Sequence, residues 1–292
     1  MRKHIMKKLL LVLNLGLLLS LSNCTEQLPE VKENINSAQD NSQAETHFFA
    51  TFDAAYDVIA TDKKFRKSET TIIPSTTEII FIDTSYLDGN GVSVIVDFGG
   101  IGEEEPKGTL CQDGRYRAGK MHIYVSQSIQ SAEFKAVVTT TKEDSFFSGN
   151  GIDMVQLVGK TTISLTGVAG LRVKVTDAMV ISDQNSFSWQ SDRVIVQTKD
   201  NGDGIWGDVY AVTGSGSGIN RDGEPFHVSI DQPLIKQMEK GCAGTFVSGV
   251  VTVAAAEGTQ VVSINYDPFD NGACDHYAEA SLNGRKTIFK VK

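Results

Sequence analysis

Asp88-Gly-Asn-Gly-Val-Ser-Val-Ile-Val-Asp-Phe98 carries both signals of an antiparallel sheet. Val92, Val94, Val96 and Phe98 recur at every second position, the spacing of a strand that buries one face. The Asp-Gly and Asn-Gly pairs ahead of them enter left-handed turn conformations at low cost. The same alternation recurs at Val173 and Val175 and at Val194 and Val196. Thr77–Ile82, Phe134–Thr140 and Thr245–Val253 are β-branched or aromatic runs. Asn150-Gly151, Asn201-Gly202, Asp222-Gly223 and Asn283-Gly284 punctuate them, so antiparallel hairpins are the expected connection. Strands do not alternate with long helices, which argues against a parallel α/β fold. The expectation is an all-β, antiparallel β-sandwich type of fold, either one extended domain or two related β units, behind a short N-terminal helix.

Phe49, Phe52, Tyr56 and Ile59 recur at three- and four-residue intervals and predict that helix within residues 46–67, packed on the sheet. Residues 24–45 are polar, acidic and poor in β-branched residues, the composition of a tether. Residues 68–292 form the β-rich region, with a possible subdivision near 215–240. Within it Asp231, Pro233 and Gly241 bracket a possible helical turn at Gln232–Lys240.

The first 23 residues read as an export signal. Arg2, Lys3, Lys7 and Lys8 precede an apolar run from about Leu9 to Leu21, which is too short to span a bilayer as a mature helix. The ending Leu21-Ser22-Asn23-Cys24 resembles the lipobox of bacterial lipoproteins. That resemblance implies a diacylglyceryl thioether and an N-acyl chain on Cys24, a multi-chain anchor that holds a protein on a membrane firmly. Asn23 stands where Ala, Gly or Ser is usual, which leaves a plain secretory signal, with Cys24 an ordinary thiol, as the alternative. Thr25 stands where an inner-membrane retention signal has Asp, so the outer membrane is the expected address, on its periplasmic or cell-surface face.

Without those 23 residues, which carry four basic and no acidic side chains, 23 Lys and Arg face 36 Asp and Glu, a formal charge of −13. Nucleic-acid binding needs clustered cations facing phosphate, so nucleic acid is not an expected partner. Of the cysteines after Cys24, Cys242 and Cys274 are the expected disulfide in an oxidising envelope, leaving Cys111 over.

Several stretches look like chemistry. Asp200-Asn-Gly-Asp203-Gly204 with Asp208 has the look of a calcium loop, but an EF-hand register would place Lys199 and Tyr210 at ligand positions, so only a looser site or a plain hairpin turn remains. His47, His122, His227 and His276 lack zinc-site spacing, and no metal, cofactor or catalytic residue is expected. Trp189, Trp206 and Tyr210 are either core residues or platforms for sugar rings.

The lipobox, Asp97-Phe98-Gly99 through Cys111-Gln-Asp-Gly-Arg-Tyr-Arg-Ala-Gly-Lys120, Thr213-Gly-Ser-Gly-Ser-Gly-Ile-Asn-Arg-Asp-Gly223, and Gly272-Ala-Cys-Asp275 to Asn283-Gly284 together resemble a group of uncharacterised Bacteroidetes-type lipoproteins. The resemblance implies a β-rich envelope protein and carries no activity with it. The resulting expectation is a non-catalytic binding or structural protein for a glycan, an envelope component or a protein partner. The alternative is a glycan-directed hydrolase with a carboxylate pair facing across a cleft. A subunit of a larger assembly would instead show an apolar patch or an uncovered sheet edge.

Overall fold

The computed structural model describes residues 35–61, 72–86, 88–167, 170–202, 205–242, 244–255 and 260–291. Alternating burial along most strands separates an inner face from an outer one: in Ser186–Lys199, Phe187, Trp189, Ser191, Arg193 and Ile195 are buried in turn. The strands are β1 (Glu78–Asp83), β2 (Val92–Asp97), β3 (Thr109–Leu110), β4 (Tyr116–Ala118), β5 (Lys120–Val125), β6 (Lys135–Thr140), β7 (Phe147–Gly149) and β8 (Met154–Thr166). The second half of the chain supplies β9 (Gly170–Ile181), β10 (Ser186–Lys199), β11 (Val209–Ile219), β12 (Pro225–Gln237), β13 (Phe246–Ala255), β14 (Val261–Asn265), β15 (Tyr277–Leu282) and β16 (Arg285–Lys290).

All belong to one sheet, ordered β1-β2-β5-β6-β8-β9-β10-β11-β12-β13-β14-β15-β16, with β3-β4-β7 as a short branch on β8. Neighbours run antiparallel throughout; β1 pairs only β2 and β16 pairs only β15 among the described residues, so the sheet is not closed. The turn dipeptides act as expected. Asn283 and Gly284 both have positive φ (51° and 81°) and join Leu282 to its partner Arg285, the geometry of a tight two-residue hairpin.

The fold is thus all-β and antiparallel with one N-terminal helix, and three boundaries differ from expectation. Helix α1 spans Asn36–Thr61, ten residues earlier than predicted, so the second half of the expected tether is helix. Residues 34–292 form one unit, and the possible subdivision at 215–240 is continuous sheet across β11 and β12. The possible helical turn at Gln232–Lys240 is instead the end of β12 and the segment after it, because β11 and β13 pair with the strand on both sides, with register shifts around Gln232 and Ile235.

Helix α1 does more than pack on the sheet. From Ala38 onward nearly every residue is buried, on all sides of the helix. Phe48 stacks on Trp189 of β10, and Phe49 meets Phe246 of β13 edge to face. Small residues let the chain approach closely: Gly244 (φ 88°) lies over Ala50, where an added Cβ would come within 3.0 Å of the alanine methyl. The core therefore lies between the helix and the inner face of the curved sheet.

Candidate functional site

Isolated buried charge is costly, so buried ions are found paired and hydrogen-bonded. Helix α1 carries carboxylates at Asp40, Glu45, Asp53 and Asp57, all buried. Cations of the sheet and of one of its hairpin turns meet three of them. Arg221, in the β11–β12 hairpin, pairs with Asp40, and its main-chain N–H also donates to Asp40 Oδ2 at 2.8 Å. Arg193 of β10 donates from Nε and Nη2 to the two oxygens of Glu45 at 2.8 and 2.6 Å. Lys236 of β12 pairs with Asp53. Asp57 accepts the main-chain N–H of Ile72 at 2.6 Å. A fourth ion pair joins β4 to the turn before it: Arg117 donates to both oxygens of buried Asp113 and also to the Ala50 carbonyl of the helix at 2.9 Å.

At the C-terminal half of α1 this polar spine borders a cavity of about 380 Å³. Phe52 and Tyr56, stacked 5.6 Å apart, come from the helix; Leu165 and Leu171 come from β8 and β9, Ile195 from β10 and Met238 from beyond β12. The polar lining is one-sided: Asp53, Asp57, Asp200 and Asp208 stand against one cation, Lys236, among the described lining residues. Burial pushes the Asp53 carboxyl above its ordinary range against the pull of Lys236. Its Oδ2 has no hydrogen-bond partner, while Lys236 takes the other oxygen. Asp208 is fully engaged, accepting from Gln197 Nε2 (2.9 Å), Tyr210 OH (3.1 Å) and the Asn201 main-chain N–H (2.9 Å). Burial, with Asp208 beside it, raises the Tyr210 hydroxyl so that it stays a donor. An apolar chamber with a few convergent polar groups is the usual form of a small-molecule site.

The residues singled out from sequence fall in separate places. Cys242 and Cys274 form a disulfide, and Cys111 is a buried thiol that burial pushes up. Cys24 lies outside the described residues, as does Asp203. Of the other two acids of the proposed calcium loop, Asp200 accepts the Gly202 N–H at 2.7 Å and Asp208 is occupied as described; the described residues contain no cluster of metal-binding side chains. Trp189 is core: it is enclosed, with its indole N–H donating to Asn41 at 3.0 Å. Trp206 packs against the core, and only Tyr210 of the three lines the cavity. His47 is buried near Ser148 (3.2 Å) and Arg115 (3.5 Å); burial, then the charges of Arg115 and Arg117, holds its imidazole well below the ordinary range.

Asp53 and Lys236 were not singled out from sequence. A signal was present: Arg193 and Lys236 stand in strands where their neighbours two residues away, Ser191 and Ile195 or Leu234, are inward-facing, so each cation had to point into the core and meet an acid there. Compared with known proteins, the chain matches no family model, no curated protein and no solved structure.

Proposed function

We propose that this chain is a non-catalytic binding protein, held at the outer membrane or cell surface through Cys24, whose cavity beside α1 takes a small molecule with an apolar body and a hydrogen-bond-donating head. The observation that carries this reading is the unpartnered Oδ2 of buried Asp53, a residue of the wall of a chamber of about 380 Å³ in which apolar side chains stand beside a cluster of carboxylates. An unmet acceptor of this kind favours an ammonium or hydroxyl over a carboxylate. The excess of carboxylates in the lining attracts an ammonium and repels a carboxylate at longer range.

Octylamine, 1-octanol and octanoate share a tail and differ in the head, so they make a direct comparison. Calorimetric titration is expected to find octylamine and octanol binding at one site and octanoate at least about tenfold weaker, roughly the 1.4 kcal/mol of one unmade polar contact. Asp53→Asn should narrow that preference. Equal affinity for all three probes would contradict the assignment of the head-group end to Asp53.

A further inference from the structure

The two edge strands of the sheet, each paired on one side only among the described residues, differ in a matched way. On β1, Glu-Ile-Ile-Phe-Ile-Asp83, acids stand at both ends of an apolar centre, and Ile79, Ile80, Phe81 and Ile82 are 37–66% exposed. On β16, Arg-Lys-Thr-Ile-Phe-Lys290, cations stand at both ends and Ile288 is 46% exposed. A long apolar edge with unpaired main-chain groups is a template for another strand.

We infer that β1 of one copy of this chain pairs antiparallel with β16 of a second copy, Glu78 opposite Lys290, with the ladder regular as far as Phe81 and Asp83, beyond the irregularity at Ile82, brought to the Arg285 end. This register sets Ile79 against Phe289, Ile80 against Ile288 and Phe81 against Thr287. It also keeps the faces continuous. Ile79 and Phe81 lie beside buried Val96 and Val94, and Phe289 and Thr287 lie beside buried Ala278 and Ala280, so inner face meets inner face. Each edge disfavours itself: β1 against β1 sets Glu78 opposite Asp83, and β16 against β16 sets Arg285 opposite Lys290.

The partner is a second copy rather than the chain's own other edge. In one chain, Phe289 and Lys290 at the end of β16 share a surface cavity with Ile101, Lys107, Ile152 and Met154, and no residue of β1 lines it. The contact is head-to-tail, each copy keeping one free edge, so assembly proceeds to a ring or an open chain.

The test is sedimentation of the purified protein over roughly a hundredfold range of concentration. Wild type is expected to grow in mass beyond a dimer. A first variant, Glu78→Lys with Asp83→Lys, and a second, Arg285→Glu with Lys290→Glu, should each stay monomeric over the range in which wild type assembles, and a one-to-one mixture should assemble again. Circular dichroism matching wild type establishes that each is folded. A wild type that remains monomeric, variants that assemble as readily as wild type, or a mixture that stays monomeric each overturns the inference. As a check that does not depend on the charge swaps, a copy with Phe81→Cys mixed with a copy with Thr287→Cys should give a disulfide-linked dimer under mild oxidation, formed only when both are present. No such dimer, or closure of that bond inside one chain carrying both substitutions, overturns it equally.

Discussion

Glu45 of helix α1 and Arg193 of β10 form a doubly hydrogen-bonded ion pair whose side chains are both fully enclosed. Such a pair adds little net stability over a well-packed apolar substitute, because desolvation offsets most of the attraction. Removing one member is different, since it strands a buried charge. Glu45→Ala should therefore cost about 3–5 kcal/mol in urea unfolding, and Glu45→Leu combined with Arg193→Met should recover most of that loss. Additive losses in the double variant would mean that the pair is not what holds α1 in place.

Burial also makes stability depend on pH through His47, whose folded imidazole is held well below its ordinary value near 6.5. Above 6.5 both states are neutral there and no dependence arises. Below it the unfolded chain takes up a proton that the folded chain refuses, so stability falls as pH drops toward the folded value. His47→Gln should flatten that fall between about pH 7 and pH 5. A residual slope is expected from His276, shifted down by its own burial and by Arg115 and Lys290. Parallel unfolding curves for variant and wild type across this window would show that His47 ionises freely.

The strands were legible because their signals are local. Val92, Val94 and Val96 alternate within a single strand, and Asn283-Gly284 specifies its hairpin without help from the rest of the chain. The start of α1 was not legible, because Asp40, Glu45 and their polar neighbours resemble a tether until Arg221 and Arg193, 181 and 148 residues away, neutralise them. Asp231 and Pro233 misled in the other direction. In the structure Asp231 accepts from Ser229 (3.0 Å) and from Thr252 on β13 at an irregularity of the ladder, where a proline is tolerated. Lys236 and Asp53, far apart in the chain, meet only through the tertiary fold, and so do the other residues that line the cavity beside them.

The disulfide makes a separate prediction. Non-reducing mass mapping should recover Cys242 joined to Cys274, and Cys111 should resist alkylation until the protein unfolds. Reduction should cost about 2–5 kcal/mol of stability, as is usual when a native bridge is lost. Alkylation of Cys242 and Cys274 in the unreduced, folded protein would refute the pairing.

Membrane attachment is tested with Cys24→Ala in producing cells. The variant should leave the membrane fraction for the soluble one, because the acyl chains have no other point of attachment in the proposed scheme. A variant that partitions with membranes as strongly as wild type removes lipidation of Cys24 from the account.

The binding claim rests on the cavity, and filling the cavity tests it most directly. Leu171 lines it together with the helix residues Phe52 and Tyr56, and Leu171→Trp would push a bulky ring into the wall of the chamber. Calorimetric titration of octylamine into wild type and into Leu171→Trp, each first shown to be folded, is the decisive comparison. The account expects saturable binding at one site in wild type and at least about tenfold weaker binding in the variant; equal affinity in the two proteins would place any binding elsewhere and contradict it.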